Sequence, residues 1–115
     1  MLRHMPKQIA TLDRVFYALA DPTRLAVIER LGKGPAAVSD LAKPFDMALP
    51  SFTQHLGVLE SCGLVQSRKA GRVRTYRLAP KSLEVVDGWL SKQRAMWERR
   101  LDQLDSYLKD MKEKS

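Results

Sequence analysis

Apolar positions along the chain repeat every three to four residues in some stretches and every second residue in one, and the changes of period mark the elements. Ile9, Leu12, Phe16 and Leu19 follow steps of 3, 4 and 3, which predicts a helix over about 8–20 with one apolar face. "ADPTRLAVIERLGKG" predicts a second helix. Asp21 is its expected N-cap, Pro22 sits in its first turn, and Gly32 is expected in the left-handed conformation past its end. Leu25, Ile28 and Leu31 are its expected buried stripe. In "AAVSDLAKPFDM" a short face of Val38, Leu41 and Ala42 is cut off by Pro44, which has no N–H to give and ends the element near Lys43. Phe45 and Met47 are expected to tuck under the turn that follows.

"ALPSFTQHLGVLESCGLV" carries the next helix, from Pro50 in its first turn to Gly63 at its end. Leu49, Phe52, Leu56 and Leu59 fix the buried side. At about 100° per residue, Gln54 falls nearly opposite that stripe. Pro50, Ser51, Gly57, Val58 and Ser61 surround it, with Thr53 and His55 on the flanks. The free face is therefore small and hydrogen-bonding. Beyond Gly63 the period shortens: "LVQSRK" predicts a strand, "AG" a tight turn, and "RVRTYRL" a returning strand with Tyr76 and Leu78 inward.

From Leu83 to about Met111 the chain predicts a long helix with a soft point, and a break, at Gly88. Trp97, Leu101, Leu104, Leu108 and Met111 step 4, 3, 4, 3, with Leu90 seven residues before Trp97. Such a seam, about 40 Å long at the helical rise, needs a partner surface. Packing on the chain's own first helix is one solution. The reading adopted is a symmetric dimer through the first and last helices, with Leu12, Phe16, Leu90, Trp97, Leu101, Leu104 and Leu108 at the interface. Trp89 is expected as a further core or interface aromatic.

Charge sharpens this picture. The net charge of +7 is almost wholly local. Residues 61–83 contain no Asp or Glu but hold Arg68, Lys69, Arg72, Arg74, Arg77 and Lys81, while 14 basic residues face 13 acidic ones elsewhere. A run this one-sided, just after a polar-faced helix, suits a polyanion. Helix, turn, polar-faced helix and basic hairpin together form the winged helix-turn-helix arrangement, mainly α with a small β-hairpin wing. A helix about 10–12 Å across fits a major groove about 12 Å wide, and the arginines of a hairpin supply backbone charge.

Other classes find less support. The 115 residues are expected to form one domain, 1–115, with terminal dimerisation helices at about 8–20 and 83–111. The single Cys62 excludes an intramolecular disulfide and is expected as a small buried residue near a helix end. No apolar run approaches the roughly 18 residues of a membrane span, and the start lacks the apolar core of a signal peptide, so a cytoplasmic protein with no membrane partner is expected. No glycine-rich phosphate loop, nucleophile elbow or H-E-x-x-H occurs, so no enzyme is expected.

"LADPTRLAVIERL", "VSDLAKPFDMALPSFTQHLGVLESCGLV" and "GRVRTYRL" resemble the ArsR family of bacterial winged-helix repressors, over about Leu12 to Leu78. The tail "WLSKQRAMWERRLDQLDSYL" is similar to the last helix of members that carry no metal site. The resemblance implies a homodimer on an inverted-repeat operator of double-stranded DNA, blocking transcription until a signal releases it. It implies Ser51, Thr53, Gln54 and His55 as recognition-helix contacts and Arg68, Lys69, Arg72 and Arg74 as wing contacts. Metal sensors of the family place a Cys-x-Cys pair where this chain has Ala37 and Ser39, and no His follows His55. Two histidines, one of them His4, and one cysteine cannot make a tetrahedral site within one chain, so no metal and no cofactor are expected. Ala37 and Ala48 stand where a Ser or Thr cap is usual, at a cost of about 1 kcal/mol each. A small organic effector, an activator role, and a winged-helix module that meets a protein instead of DNA stay open.

Overall fold

The first apolar period becomes helix α1, Lys7–Leu19, in a computed structural model that describes residues 7–114. His4 lies outside the described residues. The buried face of α1 is Leu12, Val15 and Ala18, whereas Ile9 and Phe16 are exposed. The expected stripe is thus rotated. Only Ala20 and Asp21 join α1 to the second helix, and the small side chains of Val15 and Ala18 allow the close approach that so short a connection imposes.

Helix α2, Pro22–Leu31, begins as expected. Asp21 is extended at φ −153°, its carboxylate accepts from the Arg24 N–H at 3.0 Å, and Pro22 fills the first turn. Its end differs. Gly32 is right-handed at φ −61°, with its N–H donating to the Ile28 carbonyl at 3.0 Å, and the positive φ falls instead on Gly34. The buried stripe is Arg24, Val27 and Leu31, while Leu25 is exposed. A charged residue has displaced a leucine from the interior because its guanidinium finds acceptors there.

Strand β1 is only Ala36–Ala37, and helix α3, Val38–Ala42, ends at Lys43 just before Pro44. The Phe45 ring then lies 5.4 Å from Phe52 on helix α4, Leu49–Ser61. Phe52, Leu56 and Leu59 are fully buried, but Leu49 is exposed, because the first turn of α4 projects beyond the core. Neither Ala37 nor Ala48 makes a side-chain cap.

Strands β2, Val65–Ala70, and β3, Val73–Leu78, form the hairpin in register Val65↔Leu78 through Ala70↔Val73. The turn is Gly71–Arg72, one residue later than expected, with Gly71 at φ 62° and Arg72 at the tip. β1 adds a third antiparallel strand, Ala36 opposite Tyr76, giving the order β1-β3-β2. Leu64, Val65, Tyr76 and Ala79 close the core over α4.

The chain divides into two compact units, residues 1–85 and 86–115. Helix α5 is Pro80–Lys114, 35 residues and continuous through Gly88, so the expected break is absent. One glycine costs a helix only about 1 kcal/mol, which its neighbours here outweigh. None of the α5 residues is buried, and Leu90, Trp97, Leu101, Leu104, Leu108 and Met111 are all exposed. No described helix is long and apolar enough to cross a membrane.

Gly63 leaves α4 at φ +79°, and a Cβ there would stand 2.8 Å from the Ser82 hydroxyl oxygen. Gly63→Ala is expected to lower stability by about 1–2 kcal/mol in urea unfolding. Adding Ser82→Ala should recover only part of the loss, since the backbone strain persists.

Candidate nucleic-acid interface

The polar face of α4 stands clear of the core. Ser51, Thr53 and Gln54 are exposed on the side away from Phe52, Leu56 and Leu59, and Gly57 has open space where a Cβ would be. The Thr53 hydroxyl donates to the Pro50 carbonyl at 3.0 Å and leaves its lone pairs outward. Without a cap, the first N–H groups of α4 also remain available to an anion.

His55 is placed differently from its neighbours. It is half-buried, its Nδ1 lies 2.9 Å from Arg24 Nη1, and the Asp21 carboxylate is 3.8 Å away. A guanidinium can only donate, so Nδ1 accepts and the ring proton resides on Nε2. Arg24 itself is 9% exposed and spans three elements. Its Nε donates to the Ala18 carbonyl at 2.6 Å and its Nη2 to the Tyr17 carbonyl at 3.4 Å, at the end of α1. Its guanidinium carbon lies 5.6 Å from the centre of the Tyr17 ring. The residue was legible as part of "DPTR", in which Asp21 caps the N–H of the residue three ahead. Its inward course was not.

The wing residues divide between two faces and a tip. Arg68 lies on the outer face of the hairpin, opposite Thr75, while Lys69 and Arg74 are paired directly across the strands on the face shared with Tyr76. Like charges in register repel, and an opposing polyanion relieves that repulsion. Arg74 Nη1 donates to the Ser67 hydroxyl at 2.8 Å, which donates to the Glu60 carboxylate at 2.9 Å, linking the wing to the last turn of α4. Burial, and then the charge of Glu60, push the neighbouring Tyr76 phenol above its ordinary value of 10. Arg77 donates to Gln66 at 3.2 Å. A cleft of about 320 Å³ between the starts of α3 and α4 and the wing is lined by Leu49, Arg72, Val73 and Arg74 among others. The structure thus brings Arg72 and Arg74 beside the first turn of α4.

A second open cleft, about 500 Å³, lies between α1 and the end of α4. Cys62 lines it, donates its thiol to the Leu59 carbonyl at 3.3 Å, and has its pKa pushed up by burial, which disfavours the reactive thiolate. Among the described residues no three of His, Cys, Asp and Glu gather as a metal site.

Comparison with known proteins fits this geometry. A family model described as a helix-turn-helix domain matches residues 19–68. The crystal structure of an ArsR family transcriptional regulator is 50% identical, with a TM-score of 0.75 over 82% of this chain and 97% of that one. The chain belongs to the ArsR family. An HTH-type transcriptional regulator of Mycobacterium tuberculosis is 46% identical over 64% of this chain and 69% of its own length. The solution structure of a homodimeric winged helix-turn-helix DNA-binding domain from Mycobacterium bovis is 26% identical, with a TM-score of 0.59 over 82% and 93% of the two chains. The ArsR-family chain is accordingly a DNA-binding transcriptional regulator on a winged helix-turn-helix fold.

The Asp21 carboxyl is held below its ordinary 3.8 chiefly by the Arg24 N–H it accepts; burial opposes this, and the nearby Arg24 guanidinium, the His55 ring when it is protonated and the Thr23 N–H add smaller lowering effects. A depressed carboxylate stabilises the fold above its ordinary pKa, and the contribution fades as pH falls through the lowered folded value. Asp21→Ala is expected to cost about 1 kcal/mol at pH 7. In thermal unfolding followed by circular dichroism, the gap to the wild type should narrow below the ordinary 3.8.

Proposed function

We propose that the protein is a cytoplasmic homodimeric repressor that reads an inverted-repeat operator with α4 and grips the flanking backbone with the wing. The observation that carries this is the exposed small polar face of Ser51, Thr53 and Gln54 beside a wing in which Lys69 and Arg74 are paired like charges. Gln54 is suited to the N6 and N7 of an adenine, and Arg68, Lys69, Arg72 and Arg74 to phosphates. The exposed α5 seam of Leu90, Trp97, Leu101, Leu104 and Leu108, with Phe16 on α1, supports pairing of two copies. Leu12 is 5% exposed in the single chain and offers a second copy little surface. Two recognition helices related by a dyad then enter successive major grooves about 34 Å apart. Family membership supports repression, since a dimer seated over a promoter excludes polymerase by occupancy. The absence of a thiolate pair at Ala37 and Ser39, and of any His after His55, supports release by a signal other than the metals of the family's known sites.

Selection from random duplexes at roughly 150 mM salt tests the reading. Enrichment of an inverted repeat is expected; no enrichment overturns it in favour of a module that meets protein. Arg72→Ala should weaken all sequences alike and reduce the log–log salt slope by about 0.9, the share of one phosphate. Gln54→Ala should instead relax preference at one base pair, by about 1–3 kcal/mol of discrimination. Leu104→Asp should give a monomer by sedimentation and abolish preference for the paired half-sites.

A further inference from the structure

We infer that Arg24 and His55 are positioning residues for DNA readout, with the buried guanidinium setting the rotation of the recognition helix by holding the His55 ring. The inference rests on the operator reading above. Phe52, Leu56 and Leu59 seat α4 through apolar contact, which is strong but has no direction and tolerates a small roll or slide. The hydrogen bond from Arg24 Nη1 to His55 Nδ1, at 2.9 Å, supplies direction. It is anchored in turn, because the same guanidinium is fixed to the Ala18 and Tyr17 carbonyls on α1. The backbone of Arg24 is held by the Asp21 cap. A single planar group thereby ties the end of α1, the start of α2 and the middle of α4.

His55 is adjacent to Gln54, so any roll that breaks its bond displaces the reading face as well. Hydrogen bonds to base edges weaken steeply with distance and angle, whereas charge contacts to phosphate tolerate small displacements. Loosening the joint should therefore cost sequence discrimination and leave non-specific binding almost unchanged. A residue that touched phosphate would show the reverse. His55, with Nδ1 turned to Arg24, acts through the helix it orients.

The experiment compares His55→Asn with His55→Leu in the full chain. Both are measured on the selected operator and on an unrelated duplex, across a salt series. Asparagine can present an oxygen where Nδ1 stands and accept from Arg24; leucine fills similar space and cannot. His55→Asn should keep operator affinity within about twofold of wild type. His55→Leu should lose operator affinity on the order of tenfold, with unrelated-duplex affinity and salt slope unchanged. Arg24→Lys, which keeps the charge but not the planar fork, should lose as much, and adding His55→Leu to it should cost nothing further. Thermal unfolding identifies variants that have lost the fold; if His55→Leu is one, Arg24→Lys alone against His55→Asn makes the comparison. Equal losses in His55→Asn and His55→Leu would show that the ring itself meets DNA and overturn the inference, as would full discrimination in His55→Leu or Arg24→Lys. A wild type without sequence preference, with every variant alike, overturns the operator reading itself.

Discussion

A guanidinium kept out of water is the constraint around which the other elements are arranged. Burying a charge is costly unless nearby groups replace its hydration, and an interior arginine with a missing partner destabilises a domain severely. Arg24 is compensated by the end of a helix more than by a carboxylate. The carbonyls of Ala18 and Tyr17, the latter also accepting from the Ala20 N–H at 3.2 Å, lie at the end of α1 and carry the negative end of its dipole. The Tyr17 ring adds its face, and the His55 ring supplies an acceptor from α4. This explains why α2 buries Arg24 and leaves Leu25 in water. It also explains why α1 turns Val15 and Ala18 inward, since the carbonyl end of α1 must come close to the α2 start.

Around that joint the molecule separates two surfaces on one helix. The side of α4 that carries Phe52, Leu56 and Leu59 is sealed by Leu64 before the sheet and by Val65 and Tyr76 in it. The opposite side carries polar side chains, short at Ser51 and Thr53, and in the proposed repressor these come close to a groove. The wing follows α4 after three residues, pinned at Gly63 and through the Glu60–Ser67–Arg74 chain. Glu60 is thus a carboxylate drawn into the basic region, where it accepts from Ser67 at the surface. The remaining positive charge faces outward, where its mutual repulsion makes a phosphate backbone a stabilising partner.

The last helix answers to a different need. A chain of this size buries a modest share of its surface, and α5 buries none of its residues fully. A stripe of Leu90, Leu101, Leu104 and Leu108 with Trp97 and Met111 is exposed along it, the kind of apolar surface that marks an interaction site. In the proposed repressor, burial against a second copy stabilises that stripe and sets the spacing of two reading heads. The proposed repressor in this way assigns recognition and assembly to different helices.

Period, punctuation and charge sign were readable from the sequence because each is a local property. The helix order, the Asp21 cap, the stop before Pro44, the Phe52–Leu56–Leu59 core face, the hairpin and the acid-free basic run are all fixed within a few residues of chain, and the structure has them. So is the polar face of Ser51, Thr53 and Gln54. What failed to show locally depended on neighbours distant in sequence. β1 is two alanines that become a strand only because Tyr76 and Thr75 lie alongside. Leu25 and Leu49 look as apolar as their buried counterparts and differ only in what stands opposite. Gly32 stays right-handed because its N–H still finds Ile28, and Gly88 is carried by the helix around it. The pairing of Arg24 with His55 crosses 31 residues, and no pattern in either segment foretells it. Short-range backbone preference determined the elements; the requirement that every buried polar group find a partner, met only in three dimensions, decided which faces turned inward.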